Sequence, residues 1–166
     1  MKESTLHRMF LNRIAEGGDA VRYMVPGDRG YTPVTYRQVG DAVREIGLGL
    51  MALGLSRGDR VAILSATRQE WCLADIGSIL GGFVTVPIYP SNLPDQVEYI
   101  LAHSRARVVF VEDEPQYNKV AGIRARLPHL SGVVMMTGAV GGEEGDATLS
   151  SLRDRGKEYG SGNPGC

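Results

Sequence analysis

The sequence is poor in the residues from which most self-contained catalytic sites are built. Its 166 residues include two cysteines, Cys72 and Cys166, and three histidines, His7, His103 and His129. The cysteines are too far apart for a metal or redox spacing, and the histidines fall on separate segments, so neither a zinc cluster nor an HExxH helix can be read. No G-x-x-x-x-G-K-[ST] loop occurs; Gly156-Lys157 is followed by Glu158 and lacks the earlier glycine. A G-x-S-x-G nucleophile turn is also missing. Net charge is only −1, so composition makes no electrostatic case for nucleic acid or for an anionic membrane. The N-terminal MKESTLHRMFLNR lacks the apolar centre of a secretory signal. The longest stretch without charge, residues 76–94, is broken by Gly81, Gly82, Pro87, Pro90 and Asn92, which favours helix, strand and loop over a membrane span. A reducing, cytoplasmic location fits this pattern, with Cys72 expected as a small buried apolar residue.

What is present suits one soluble globular domain: 43% hydrophobic and 22% charged residues over a length that can bury a real core. The chain is organised around residues 79–101, ILGGFVTVPIYPSNLPDQVEYIL. Gly81 and Gly82 can end a helix. Residues 83–88 are short, apolar and β-branched, the expectation for a strand covered on both faces. Pro87 and Pro90 stop it. Pro94 can open a helix that places Val97, Ile100 and Leu101 on one face.

Upstream, Ser4 or Thr5 can cap a helix through Ala15 with Leu6, Phe10 and Ile14 as an apolar stripe flanked by Arg8 and Arg13. Packing on the protein body is the expected use of that stripe, with a membrane-surface helix as the alternative. Alternating Val21, Tyr23 and Val25, a turn at 26–30 and an extended 31–35 read as a hairpin. Thr35 and Gln38 form a capping-box pattern before a helix carrying Val39, Val43, Ile46, Leu50 and Leu53, with Gly54 as its stop. Residues 47–52, formally G-x-G-x-x-A, fall in mid-helix and so read as close packing, not a dinucleotide turn. A turn at 57–60 leads into a strand at 61–64. Thr67 and Glu70 pattern as a second capping box for a helix over 68–80, with Trp71 as a packing anchor.

Residues 107–111 read as a further strand ending in Glu112, Asp113 and Glu114. Three carboxylates at a strand end could hold a metal or act as acid and base; the simpler reading is a helix N-terminus opened by Pro115 and running over 115–127. Pro128 ends it and Gly132 leads into a strand over 133–136. Tyr99 and His103, at i and i+4, read as an exposed helix pair. Residues 138–147 are a Gly/Glu-rich linker, 148–160 a polar surface helix, and 161–166 a tail. Strands alternating with crossovers long enough for helices predict an α/β fold, a layered αβα arrangement with a mostly parallel sheet.

Two segments carry a family resemblance. VPIYPS, following a Gly-rich helix end, and VTYRQVGDAVREIGLGLMALGLSRGDRVAI resemble the AMP-forming acyl-CoA synthetases of the adenylating superfamily, in wording nearest the long-chain fatty acid–CoA ligases. The likeness covers roughly residues 31–137. It implies part of the N-terminal subdomain of that fold, with 1–137 as a partial AMP-binding unit. It also implies a parent reaction in which fatty acid and MgATP give acyl-AMP and CoA then gives the thioester. ATP, magnesium and CoA are cofactors of that parent, none being placed in this chain. The family's Ser/Thr/Gly-rich phosphate loop, its acidic magnesium residue, its ribose-binding Asp and its C-terminal Lys have no counterpart here. No catalytic, cofactor-binding or metal residue is therefore assigned, and the chain alone is expected to be inactive. The implied partners are the remainder of a ligase chain and, in the parent, a fatty acid, with no nucleic acid and at most weak peripheral membrane association. A non-catalytic α/β binding or interaction module derived from the ligase is the alternative. A generic doubly wound nucleotide-binding domain ranks behind both, because Ser65-Ala66-Thr67 contains no glycine.

Overall fold

The computed structural model of the protein describes residues 5–27, 30–140 and 145–164. The N-terminal helix α1 (Leu6–Gly17) has Thr5 at its cap position, but the hydroxyl makes no capping bond. Ser4 lies outside the described residues. Of the expected stripe, Phe10 is buried and Ile14 half-buried against the core, whereas Leu6 stays 63% exposed. Strands β1 (Val21–Gly27) and β2 (Gly30–Thr35) pair antiparallel as the alternation predicts; Asp28 and Arg29 of the turn lie outside the described residues.

Helix α2 (Tyr36–Ala52) starts on the Thr35–Gln38 capping box, with Gln38 N–H donating to Thr35 Oγ1 at 3.2 Å and Thr35 N–H to Gln38 Oε1 at 2.8 Å. Val39, Val43, Ile46 and Leu50 are buried, and every residue from 46 to 50 is enclosed. A helix enclosed all round must let its neighbours approach, and the mid-helix glycines do so. A Cβ at Gly47 would lie 2.9 Å from the Gly77 carbonyl oxygen on α3 (Gln69–Leu80). One at Gly49 would overlap the Leu152 carbonyl on α6 (Leu149–Gly162).

A second sheet has five strands, all parallel, in the order β4-β3-β5-β6-β7, where β3 is Arg60–Leu64, β4 Val84–Ile88, β5 Val108–Val111, β6 Gly132–Met135 and β7 Ala147–Thr148. Side chains alternate along each strand. Val61, Ile63, Val108, Phe110 and Val134 meet α2, α3 and α6 on one face. Ala62, Leu64, Val109, Val111, Val133 and Met135 meet α4 (Pro94–Ser104) and α5 (Glu114–Ala121) on the other. The layered αβα expectation holds.

Several local expectations are corrected. Residues 83–88 are not a strand covered on both faces: β4 is an edge strand, and Val84 is 50% exposed. Val84 N–H bonds back to the Asp59 carbonyl at 2.9 Å. Alternation then turns the N-side of Pro87 to the open edge, where a missing donor breaks no ladder bond. The Thr67–Glu70 capping box does not form, because α3 begins one residue later with Arg68 at the cap position. Cys72 is exposed, since α3 buries the face of Leu73, Ala74, Gly77 and Ser78 instead. Trp71 is half-buried and packs on the core. The helix expected over 115–127 is α5 followed, after a turn at Gly122, by a short 3-10 segment, Arg124–Arg126.

At the C-terminal side, β7 straddles the end of the stretch read as a linker, 138–147, of which residues 141–144 lie outside the described residues. Helix α6 extends to Gly162 and is not merely a polar surface element: Leu152 is fully buried, and Gly156 sits against the Glu45 carbonyl of α2.

Candidate functional site

In an open parallel sheet, ligands are received beyond the carboxyl ends of the strands where the strand order reverses. Here that point lies between β3 and β5, since β3 connects outward to β4 and β5 connects the other way to β6. The residues at the two strand ends are Ser65-Ala66-Thr67-Arg68 and Glu112-Asp113.

Glu112 spans the crevice. Its Oε2 accepts from Ala66 N–H at 2.7 Å and from the Ser65 hydroxyl at 3.3 Å. Arg68 Nη1 approaches Oε1 at 3.5 Å. The Glu112 carbonyl accepts from the Thr137 hydroxyl at 2.7 Å and from Thr137 N–H at 3.1 Å. Arg68 itself donates through Nε to Glu70 at 2.7 Å, and that bond holds its guanidinium above its ordinary proton affinity, against burial and with help from Glu112. The acidic triplet therefore divides in role. Asp113 caps α5 by accepting from Gln116 N–H at 3.2 Å, as a helix N-terminus favours, and Glu114 is its exposed neighbour. Glu112 is instead a cross-sheet anchor.

Around this point Lys119 Nζ donates to the carbonyls of Pro90 and Asn92, both at 2.8 Å, pinning the loop after β4 to α5. Beside it, Arg22, Tyr23, Pro26, Thr67, Glu70 and Cys72 border a cavity of about 710 Å³ between the hairpin and α3. Burial pushes the Tyr23 phenol up. Two further grooves, of about 580 and 500 Å³, flank α1 where it rides on α2 and α3. Tyr99 and His103 stack at 5.6 Å on α4, both exposed.

The donors that a phosphate would need at this crevice are already engaged, the Ala66 N–H by the Glu112 carboxylate at 2.7 Å and the Ser65 hydroxyl chiefly by the Ala66 carbonyl at 2.8 Å. Among the described residues no group of three His, Cys, Asp or Glu side chains could hold a metal ion. The strand-end residues do not fit MgATP. The anchoring role of Glu112 has a sequence signal, an acid at the first position after a buried strand. Its partners do not, because Ala66 is 46 residues away.

Comparison with known proteins assigns the family. The model of the AMP-binding enzyme family matches residues 12–158, and the chain belongs to that family. It is 38% identical over 121 residues to the long-chain-fatty-acid–CoA ligase FadD15 of Mycobacterium bovis, covering 73% of this chain and 20% of that protein. The human long-chain-fatty-acid–CoA ligase ACSBG1 is 30% identical over 131 residues, 79% of this chain and 18% of that one. The chain thus spans about a fifth of the length of these relatives. Among solved structures, the anthranilate CoA ligase AuaEII superposes with a TM-score of 0.77 at 25% identity, over 89% of this chain and 27% of that one. The adenylation domain of a Mycobacterium chelonae carboxylate reductase shares the fold with a TM-score of 0.76 at 18% identity, over 95% of this chain and 30% of that domain.

Proposed function

We propose that this chain is the N-terminal segment of an AMP-forming long-chain fatty acid–CoA ligase and acts there as scaffold. The observation that carries the reading is that relatives named as such ligases align with this chain over only a fifth of their own length. The parent reaction is ATP- and magnesium-dependent formation of an acyl adenylate, followed by thioester formation with CoA, with a cytoplasmic location. Residues 1–137 form part of the AMP-binding subdomain, and 148–160 dock on it through α2. The strand-end crevice supports the scaffold role, because the donors a nucleotide would use there are engaged within the chain. The chain alone therefore does not activate a fatty acid. Pure 1–166 is expected to release no pyrophosphate from ATP in the presence of palmitate and magnesium. Palmitate-dependent release above a no-protein control would overturn the reading.

A second reading, a non-catalytic module derived from the ligase, is favoured by one observation: the apolar faces of α2, α3 and α6 close on a completed core. A stable chain near 17.9 kDa in its own cells would support it, and a much heavier band would support the segment.

A further inference from the structure

A half-buried charge costs stability unless hydrogen bonds or an opposite charge compensate it. Arg22 is half-buried, and the backbone places it deliberately. It is the extra residue of a β-bulge: Val21 pairs with Thr35 and Tyr23 with Val34, so Arg22 faces no residue of β2. A bulge re-aims its side chain out of the strand's alternation. Here the guanidinium carbon comes to 5.3 Å from the centre of the Phe10 ring on α1 and 5.6 Å from that of Tyr36 at the head of α2. Two aromatic faces fix the plane of a guanidinium and leave its N–H groups free to donate. Among the described residues, none accepts a hydrogen bond from the Arg22 side chain or forms an ion pair with it.

Asp75 is a second and independent case, on another element. It lies half-buried in the middle of α3 and, among the described residues, has no hydrogen-bond or ion-pair partner either. Both groups border the groove of about 500 Å³ beside α1, as do the Phe10 and Tyr36 rings under the guanidinium. Leu6, Met9, Ile76 and Ile79 supply apolar walls. The other cations there are differently placed: Arg13 donates to Glu16 at 3.1 Å, and His7 is exposed. A largely apolar cleft of this size with a few convergent polar groups has the make-up of a small-molecule site. None of the strand-end residues borders it.

We propose that this groove binds a zwitterionic α-amino acid with an apolar side chain, its carboxylate on Arg22 and its ammonium on Asp75. A guanidinium held flat suits a carboxylate, which it can meet with two parallel bonds. A simple carboxylic acid would satisfy Arg22 but bring a second negative charge to Asp75. A simple amine would satisfy Asp75 and repel Arg22. A ligand carrying both charges answers both groups, and its side chain meets the apolar walls. The inference needs neither nucleotide nor turnover, so it stands apart from the ligase reading.

The test is a titration of the 166-residue chain followed by two-dimensional proton–nitrogen NMR. Three probes of similar shape are compared: L-leucine, 4-methylpentanoate, which lacks the amino group, and 3-methylbutylamine, which lacks the carboxylate. L-leucine is expected to bind most tightly, with amide shifts centred on α1, Arg22 and the Asp75–Ile79 turn of α3. Arg22→Met, which keeps an apolar stem over the two rings, and Asp75→Asn should each weaken L-leucine about tenfold, as the loss of one charge-assisted bond would. Asp75→Asn should at the same time keep or improve binding of 4-methylpentanoate, an outcome that a merely disturbed groove would not give. Its Tm should match the wild type, because Asp75 has no partner in the described chain to lose. No shifts at millimolar L-leucine, or shifts centred away from α1, β1 and α3, would overturn the proposal. So would 4-methylpentanoate or the amine binding as tightly as L-leucine, or Asp75→Asn leaving L-leucine binding unchanged or weakening both ligands alike.

Discussion

At the scale of single residues, the structure turns on two buried or half-buried carboxylates that bind distant backbone. Glu112 ties β5 to the loop after β3. Asp146 does the same at the far side of the sheet: its fully buried carboxylate accepts from Tyr117 Oη at 2.8 Å, Arg124 Nη1 at 2.7 Å and Val133 N–H at 2.9 Å. Removing one partner of a buried charged network leaves the others desolvated. Asp146→Ala is expected to lower stability by about 4 kcal/mol, checked by urea denaturation. The exposed pair of Glu98 and Arg126 behaves differently. Two bonds from Arg126, at 2.8 and 2.6 Å, hold the Glu98 carboxyl below its ordinary range. A depressed carboxylate stabilises the fold above its unfolded value, and that contribution fades as pH falls through the folded value. The Tm difference between wild type and Arg126→Ala should therefore be small and constant at neutral pH, shrink as pH falls below the ordinary glutamate range, and vanish once Glu98 is protonated in the folded protein. A difference that persisted in acid would mean that Arg126 acts by packing.

At the scale of elements, the sequence made the long, periodic pieces readable. The Thr35–Gln38 box, the α2 stripe, Pro94 at the head of α4 and the parallel strands all follow from local chemistry. The shorter pieces depend on what lies across the sheet. β7 is two residues long and exists because Val134 and Met135 offer it a ladder. α5 stops at Ala121 although apolar spacing continues to Leu127, because the chain unwinds there and places Arg124 against Asp146. The candidate site was half legible: the strand ends could be located, but not that Glu112 would bond to residues far upstream. The mid-helix glycines illustrate the readable side. Gly47 and Gly49 suggested close packing, and the structure supplies the partners, among them Gly156 of α6, which no packing reading singled out. A Cβ at Gly156 would overlap the Glu45 carbonyl oxygen and come within 2.9 Å of Gly49 N, both backbone atoms that cannot swing aside. Gly156→Ala should then destabilise by about 3 kcal/mol by forcing α6 off α2. Gly54→Ala would strain a positive φ without any such clash and so separates the two effects in the same thermal melt.

At the scale of the molecule, composition is an average and the fold undoes it. A near-neutral chain gathers four of its fifteen arginines, Arg57, Arg60, Arg105 and Arg107, at the end of the sheet where the strands begin, and a chain with ordinary apolar content leaves some of it outside. The two edges of the five-stranded sheet are unequal. β7 is too short to template pairing, which is one way sheets protect an edge. β4 is longer, and apolar groups stand along it and beyond it: Val84, then Tyr89 at 78% and Leu93 at 66% exposure. Pro87 blunts that edge only at one position, since Thr85 still presents its N–H and C=O outward by the same alternation. In a ligase about five times this length, further chain is available to cover such an edge; in the 166-residue chain the most abundant alternative is a second copy. Sedimentation velocity should therefore show concentration-dependent self-association. Val84→Lys, which places a charge on the edge strand at an already exposed site, should shift the chain toward monomer without lowering Tm. A wild-type chain that stays monomeric at high concentration would show that the edge is protected as it stands and would favour the free-standing module. Association that survives Val84→Lys would move the contact away from β4, to the grooves beside α1.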